Sequence, residues 1–379
     1  MVTFLPSRPG RLADVPSFAR AIGGAESNVA CALAVAGHSV KWVSRVGADG
    51  FGDHLIEAVA AYGVDTGAVR RDPGRPTGIY FRTATDRATD AHEVVYHRAG
   101  SAASAMSPAN VPTDDLDRAR ILHLSGITAA LSPDCLALMR VLTARRPGRP
   151  LLSFDVNHRP GLGRDTPAVL LELARGADLV FVGEDEAERA WGVNGPAAIR
   201  EALPEPAVLV VKQGARGAVA YAREVRTPVP GRSAGSPGPG PGGSRETATH
   251  VPAPRVDVVA PVGAGDAFAA GFLSATLRGL PVGARLRHGH LMAAAALTVP
   301  GDLGSPPPAG LPGHRDPMAP PAPAAHDPAA RDLAGHEVAP LALDHADRLV
   351  ALDDDGWGTL HLGPGWTAAA QATKEVRTP

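Results

Sequence analysis

The sequence predicts an α/β fold: a doubly wound, mostly parallel sheet with helices on both faces and a small β lid. Three observations predict it. Strand-like apolar runs alternate with helical patterns on both sides of residue 100, glycine turns run straight into small-residue helices at two distant places, and polar residues gather just past the strand ends.

Composition sets the bounds. Of 379 residues, 43 are Gly and 37 are Pro, concentrated at 228–243 and 300–329, so the apolar material for a core lies in 1–302. A formal net charge of −2 without a long basic run argues against nucleic acid or anionic membrane as partner and points to a small molecule. Cys31 and Cys135 match no metal-ligand spacing and read as buried thiols. Residues 1–10 lack a continuous apolar stretch, and no run reaches the roughly 18 residues a membrane span needs. A cytoplasmic setting is expected.

In chain order, residues 2–5 and 18–22 are short apolar pieces separated by Pro6, Pro9 and Pro16, and read as edge strands or loop. Gly23-Gly24-Ala25-Glu26-Ser27-Asn28-Val29-Ala30 opens an Ala-rich helix that Gly37 closes. A strand over 40–46, a helix over 50–62 stopped by Gly63 and a strand beginning at Val69 make the first β-α-β unit. Strands over 77–83 and 93–98 then follow each other across the polar loop 84–92, a hairpin suited to a flap, with Tyr80, Tyr96 and Arg98 able to point together. Alternation resumes with strands over 121–124, 151–156, 179–182 and 208–211, and helices over 134–144, 168–174 and an acidic opening at 183–188. Lys212 ends the last of these strands, and Gly214 and Gly217 flank the turn into 218–222. The insertion 228–254 begins as a Gly/Pro/Ser repeat and reads as a flexible surface loop. A strand over 256–259 is expected to return to the sheet, and a helix over 286–297 to pack antiparallel to the one after Gly265. The extension 303–379 is Pro/Ala-rich and expected to be disordered, with 349–352 strand-like but without an identifiable partner.

The chemistry concentrates in Val262-Gly263-Ala264-Gly265-Asp266-Ala267-Phe268. A helix leaves its first N–H groups without internal partners, and its dipole makes that end attractive to anions. Gly263 and Gly265 let the backbone approach a ligand, so the amides of Gly263, Ala264 and Gly265 can converge on a phosphate. Asp266, in the first turn, is placed to accept a proton from an attacking hydroxyl.

These two glycine motifs, with Tyr96-His97-Arg98-Ala99-Gly100-Ser101-Ala102-Ala103-Ser104, Leu124-Ser125-Gly126-Ile127-Thr128 and Asp155-Val156-Asn157-His158-Arg159, resemble the ribokinase-like (pfkB) carbohydrate kinases over about residues 20–302. Within that family they are most similar to the 2-keto-3-deoxygluconate kinases, Glu26 being one discriminating residue. The resemblance implies a sugar-kinase domain over 1–302, with its lid drawn from about 1–22 and 72–107. It implies phosphorylation of a sugar-acid hydroxyl by ATP with Mg²⁺, 2-keto-3-deoxygluconate to its 6-phosphate. Asp266 would be the base and the Gly263, Ala264 and Gly265 amides the anion hole. Gly24, Ala25, Glu26, Asn28, Tyr80, Tyr96, Arg98, Arg159 and Asp302 fall where the family holds its sugar acid. Asn157, Arg159, Lys212, Gly214, Gly217, Gly263 and Gly265 fall on the nucleotide side, and Glu186 where Mg²⁺ is ordered through water. The chemistry is consistent with this: a guanidinium fork suits a carboxylate, and Arg98 and Arg159 supply two.

The chain also departs from the pattern. The family's first core strand with its acidic end, and the closing helices after Asp302, are expected to lack counterparts, Ala260 occupies a usual Asp position, His97 replaces an aromatic, and His290 an Asn. Two alternatives therefore stay open: a neutral-sugar kinase of the fructokinase or ribokinase type, and a catalytically impaired sugar-acid-binding protein of the same fold. The lid edge at 93–98 offers a surface for pairing with a second copy, a homo-oligomer through the lid.

Overall fold

The computed structural model describes residues 1–83, 93–159, 166–223, 246–260, 262–298, 301, 303, 349–352 and 358–360. Strands β1 (Val2–Pro6) and β2 (Phe18–Ile22) pair antiparallel and lead into helix α1 (Ala25–Val35). Strand β3 (Arg45–Gly47), helix α2 (Gly50–Ala60) and strand β4 (Arg70–Asp72) form a β-α-β unit whose two strands are parallel. Strands β5 (Ile79–Arg82) and β6 (Val94–His97) make the expected antiparallel pair. The winding continues through α3 (Thr113–Leu116), β7 (Ile121–Ser125), α4 (Gly126–Ala129), α5 (Pro133–Thr143), β8 (Leu151–Asp155), α6 (Thr166–Gly176), β9 (Leu179–Gly183), α7 (Glu184–Trp191), α8 (Pro196–Ala202) and β10 (Val208–Lys212). It closes with β11 (Ala218–Arg223), β12 (Glu246–Val251), α9 (Ala264–Leu277) and α10 (Val282–Leu297).

The main sheet has six strands in the order β12-β11-β10-β9-β8-β7, with β7 to β10 parallel and the last two antiparallel. Period-2 alternation splits its side chains between two cores. Phe181 and Val210 face Phe268, Phe272 and Leu286 on α9 and α10, while Leu152, Phe154 and Leu209 face Leu170 and Ile199 on α6 and α8. The α9–α10 contact is tight because two glycines meet it: a Cβ on Gly271 would lie 2.4 Å from the His288 carbonyl oxygen, and one on Gly289 2.9 Å from the Phe268 ring. Both cysteines are free and buried, and burial pushes the Cys31 thiol up to about 12. Among the described residues, no helix is long and apolar enough to cross a membrane.

Three elements differ from the sequence reading. Residues 2–6 form not an edge but an interior strand of the lid sheet, whose order is β2-β1-β5-β6, because β1 gains a second, parallel neighbour in β5. The expected strand over 256–259 is absent, and the sheet's last strand is β12, inside the segment read as loop. Thr247, Thr249 and Val251 give β12 its branched alternation, and Pro252 ends it. Val259 and Ala260 instead donate their N–H groups to the Leu297 carbonyl, capping the C-terminus of α10. Finally, 349–352 does have a partner: β13 (Leu349–Leu352) pairs antiparallel with β14 (Gly358–Leu360). The Gly/Pro-rich residues 224–245 and most of 304–379 lie outside the described residues.

Candidate active site

The site forms where two uncapped helix starts meet. Gly24 (φ 144°) precedes α1 and Gly263 (φ 83°) precedes α9, and neither helix has a side-chain cap on its first amides. Positive φ favours glycine at both positions. Asn28, in the first turn of α1, donates from Nδ2 to Asp266 Oδ2 at 2.8 Å, bringing the two helix starts together. Asn28 is buried, and its Oδ1 has no hydrogen-bond partner among the described residues, which leaves an acceptor for an incoming hydroxyl. Residues 262–266 are half-exposed, so the anion-attracting turn opens to solvent.

Beneath that turn, Lys212 at the end of β10 donates from Nζ to both oxygens of Asp155, at the end of β8 (3.1 and 3.2 Å). A Cβ on Gly265 would lie 3.5 Å from the same Nζ, so the ammonium sits beside the anion hole. Burial opposes the charge on Lys212, but Asp155, then Glu186 and Asp266, outweigh it and hold the ammonium's pKa above its ordinary value. Glu186 closes the group. Its Oε2 accepts from the Gly183 N–H at 2.8 Å, and burial followed by the repulsion of Asp155 raises its pKa, against the pull of Lys212. Asp155 and Glu186 supply hard oxygen donors, but no group of three metal-ligating side chains occurs among the described residues. This donor set suits an ion held chiefly by phosphates and water rather than a protein cage.

The lid supplies the opposite wall. Tyr80 and Tyr96 face each other with ring centroids 5.5 Å apart, and the Arg98 guanidinium lies 4.4 Å over the Tyr96 ring. Arg98 is 8 % exposed, and its Nη2 has no hydrogen-bond partner among the described residues. Burial lowers its pKa and the nearby Arg159 adds to this, with Tyr96 and Glu26 opposing. Glu26 accepts a 2.5 Å bond from Thr128 Oγ1 at the other side of the site. Arg159 itself is exposed. Asn157, just past β8, is buried with φ 43°, a conformation asparagine tolerates better than most residues. Gly214 and Gly217 (φ 59° and 114°) shape the turn after β10, where Gln213 and Arg216 both donate to Glu184. A Cβ on Gly217 would stand 2.2 Å from the Val251 carbonyl oxygen.

Thus Ala25, Asn28, Lys212, Glu186 and the 263–266 turn gather at the sheet's carboxyl end, with Tyr80, Tyr96 and Arg98 on the lid. Asp302 lies outside the described residues. Two participants stand inside the motifs quoted above without a role in the sequence reading. Asp155 lies at a strand's carboxyl end, where ligands collect in such sheets, and that rule alone could have assigned it to the site. The contact made by Thr128 has no local signal, since its partner is 102 residues away. A surface depression of about 410 Å³ lies at the opposite end of the sheet, where Arg145 and Arg149 are engaged by Asp178 and by carbonyls at the end of α6.

A doubly wound sheet that brings an uncapped glycine turn, a first-turn carboxylate and a sunken lysine to its carboxyl end, under a β lid, defines a phosphoryl-transferring α/β enzyme. The particular family follows from comparison. The model of the pfkB family carbohydrate kinases matches residues 2–309, and this chain belongs to that family. It is 33% identical over 311 residues to a 2-dehydro-3-deoxygluconokinase of Bacillus subtilis (80% of this chain, 89% of the relative). Similarity to fructokinase-1 of Oryza sativa is 31% over 237 residues (61% and 73%). An uncharacterized sugar kinase from Pyrococcus horikoshii, solved in complex with ATP, superposes with a TM-score of 0.65 at 25% identity (80% and 91%).

Proposed function

We propose that this protein transfers the γ-phosphoryl group of ATP to a hydroxyl of a small sugar acid, converting 2-keto-3-deoxygluconate to its 6-phosphate. The observation that carries the acid specificity is Arg98: a buried guanidinium whose Nη2 has no partner among the described residues, stacked on Tyr96 and close enough to Arg159 to feel its charge. A desolvated arginine without an ion pair among the described residues is costly, and a substrate carboxylate is the complementary group. The likeness to a 2-dehydro-3-deoxygluconokinase supports the same reading.

In this reading the sugar hydroxyl attacks the γ-phosphorus, the bond to the ADP oxygen breaks, and the hydroxyl proton passes to Asp266, which Asn28 steers through the 2.8 Å bond. The Gly263–Gly265 amides and the Lys212 ammonium lie where charge on the moving phosphoryl is to be stabilised. Mg²⁺ bound with the nucleotide would supply further neutralisation of the phosphates, with Glu186 as the nearby oxygen that could order it through water. Gly24, Ala25, Glu26 and Tyr80 shape the sugar side. Asn157, Gly214 and Gly217 shape the nucleotide side.

A coupled ADP-release assay across keto-deoxy sugar acids and neutral hexoses tests the proposal. Preferential turnover of the acids is expected. Turnover of fructose or ribose in preference to the acids would replace it with the neutral-sugar reading. Sugar-acid binding without ADP release would mean an impaired catalyst.

A further inference from the structure

We infer that Asp155 is a positioning residue for phosphoryl transfer: it fixes the Lys212 ammonium beneath the anion hole and keeps it from being captured by Asp266. The inference rests on the kinase reading above.

Its basis is how three strands bring the charges together. Asp155 ends β8 and Lys212 ends β10, and β9 runs between them, so their backbones stand roughly 10 Å apart across the sheet. They meet because β9 presents Gly183 opposite Lys212. With no side chain there, Glu186 folds back over the strand end, its Cγ and Cδ 3.1 Å from where a Gly183 Cβ would be. Lys212 is consequently held by one carboxylate directly and by a second electrostatically, while its side chain remains 18 % exposed and its Nζ lies 3.5 Å from where a Gly265 Cβ would be. An ammonium has three N–H donors, and Asp155 is the one hydrogen-bond acceptor it has among the described residues. With two bonds made to its oxygens, one donor remains for a phosphoryl oxygen.

Asp266 also attracts Lys212, more weakly than Asp155 and Glu186 do. Removing the charge of Asp155 shifts that balance. An ammonium drawn onto Asp266 would pair with the carboxylate that must take the proton, and would leave the position beside Gly265. Both losses strike the chemical step and leave the sugar's own contacts on the lid untouched. Asp155 is nearly fully buried, with 3 % side-chain exposure, and none of the roles assigned above to substrate contacts requires it.

The test is a double-mutant cycle on the full chain, using Asp155→Asn, Lys212→Met and the two combined, with each variant's melting temperature recorded. Asp155→Asn is expected to lower kcat roughly 10- to 100-fold with the KM for the sugar acid unchanged, the range for coupling between residues in direct contact. In the Lys212→Met background, adding Asp155→Asn should leave kcat within about 2-fold. If Asp155→Asn does not fold, the comparison of Lys212→Met with the double variant, which is neutral at both positions, still decides the matter. A further large loss in that background, or rescue by excess Mg²⁺, would overturn the inference in favour of a metal-side role for Asp155. Wild-type kcat in Asp155→Asn would overturn it while leaving the kinase reading intact. Absence of turnover by the wild-type chain on any sugar acid or hexose would bring down the kinase reading and, with it, this one.

Discussion

Replacing Arg98 by Met separates substrate recognition from folding. The guanidinium is 8 % exposed, rests 4.4 Å over the Tyr96 ring, and leaves Nη2 without a partner among the described residues. In the free protein, an unsatisfied buried polar group costs about 1–3 kcal/mol, against a cation–π contact of about 1 kcal/mol. Methionine has similar length and no charge, so the variant is expected to melt at the same temperature or a few °C higher, at roughly 2–4 °C per kcal/mol for a chain of this order. Binding should move the other way. A fork holding a carboxylate makes two charge-assisted bonds of about 1.5–3 kcal/mol each, part of which Arg159 can take over. A net loss of about 2–4 kcal/mol corresponds to roughly 30- to 1,000-fold weaker binding. Calorimetry with 2-keto-3-deoxygluconate and with a neutral sugar of similar size, alongside a thermal melt, reads both sides. The acid should weaken and the neutral ligand should not. Equal weakening of the two, or unchanged affinity for the acid, would refute the assignment of Arg98 to a carboxylate.

Three further outcomes are expected. Asp266→Asn keeps the volume and the contact with Asn28, so it should reduce kcat by about 10²- to 10⁴-fold with little change in sugar affinity; single-turnover rates equal to wild type would remove Asp266 from the reaction. Gly271→Ala drives a methyl to 2.4 Å from the His288 carbonyl, backbone that cannot step aside, and should cost about 1–3 kcal/mol by denaturant unfolding, whereas an unchanged midpoint would mean the α9–α10 contact is looser than described. His288 and His290 are buried and pushed down to about 4, chiefly by burial, so the unfolded chain binds protons that the folded one excludes. Their contribution is fully present above the unfolded value near 6.5 and is lost as pH falls from there toward 4, at about 1.4 kcal/mol per pH unit for each histidine in that window. Urea midpoints measured from pH 7 to 4 should fall accordingly, and His290→Gln should flatten the slope; a slope unaffected by the substitution would contradict it.

What the sequence determined by itself was local. Alternating apolar runs set strands β7 to β10 and their helices, since period and capping act over a few residues. The same holds for the two glycine turns, because positive φ at Gly24 and Gly263 and the uncapped amides after them are properties of a single chain segment. Strand β12 escaped because its Thr/Val alternation adjoins a Gly/Pro run, and nothing local distinguishes it from that run until β11 offers an antiparallel edge. Likewise β1 looked like an edge, and became interior only when β5, far along the chain, docked beside it. The charges of the site belong to the same category. Asn28 meets Asp266 across 238 residues, and Lys212 meets Asp155 across 57. Which carboxylate holds the lysine, and which is left to take a proton, depends on Coulomb energies that change within a few ångströms, and only the folded sheet sets those distances.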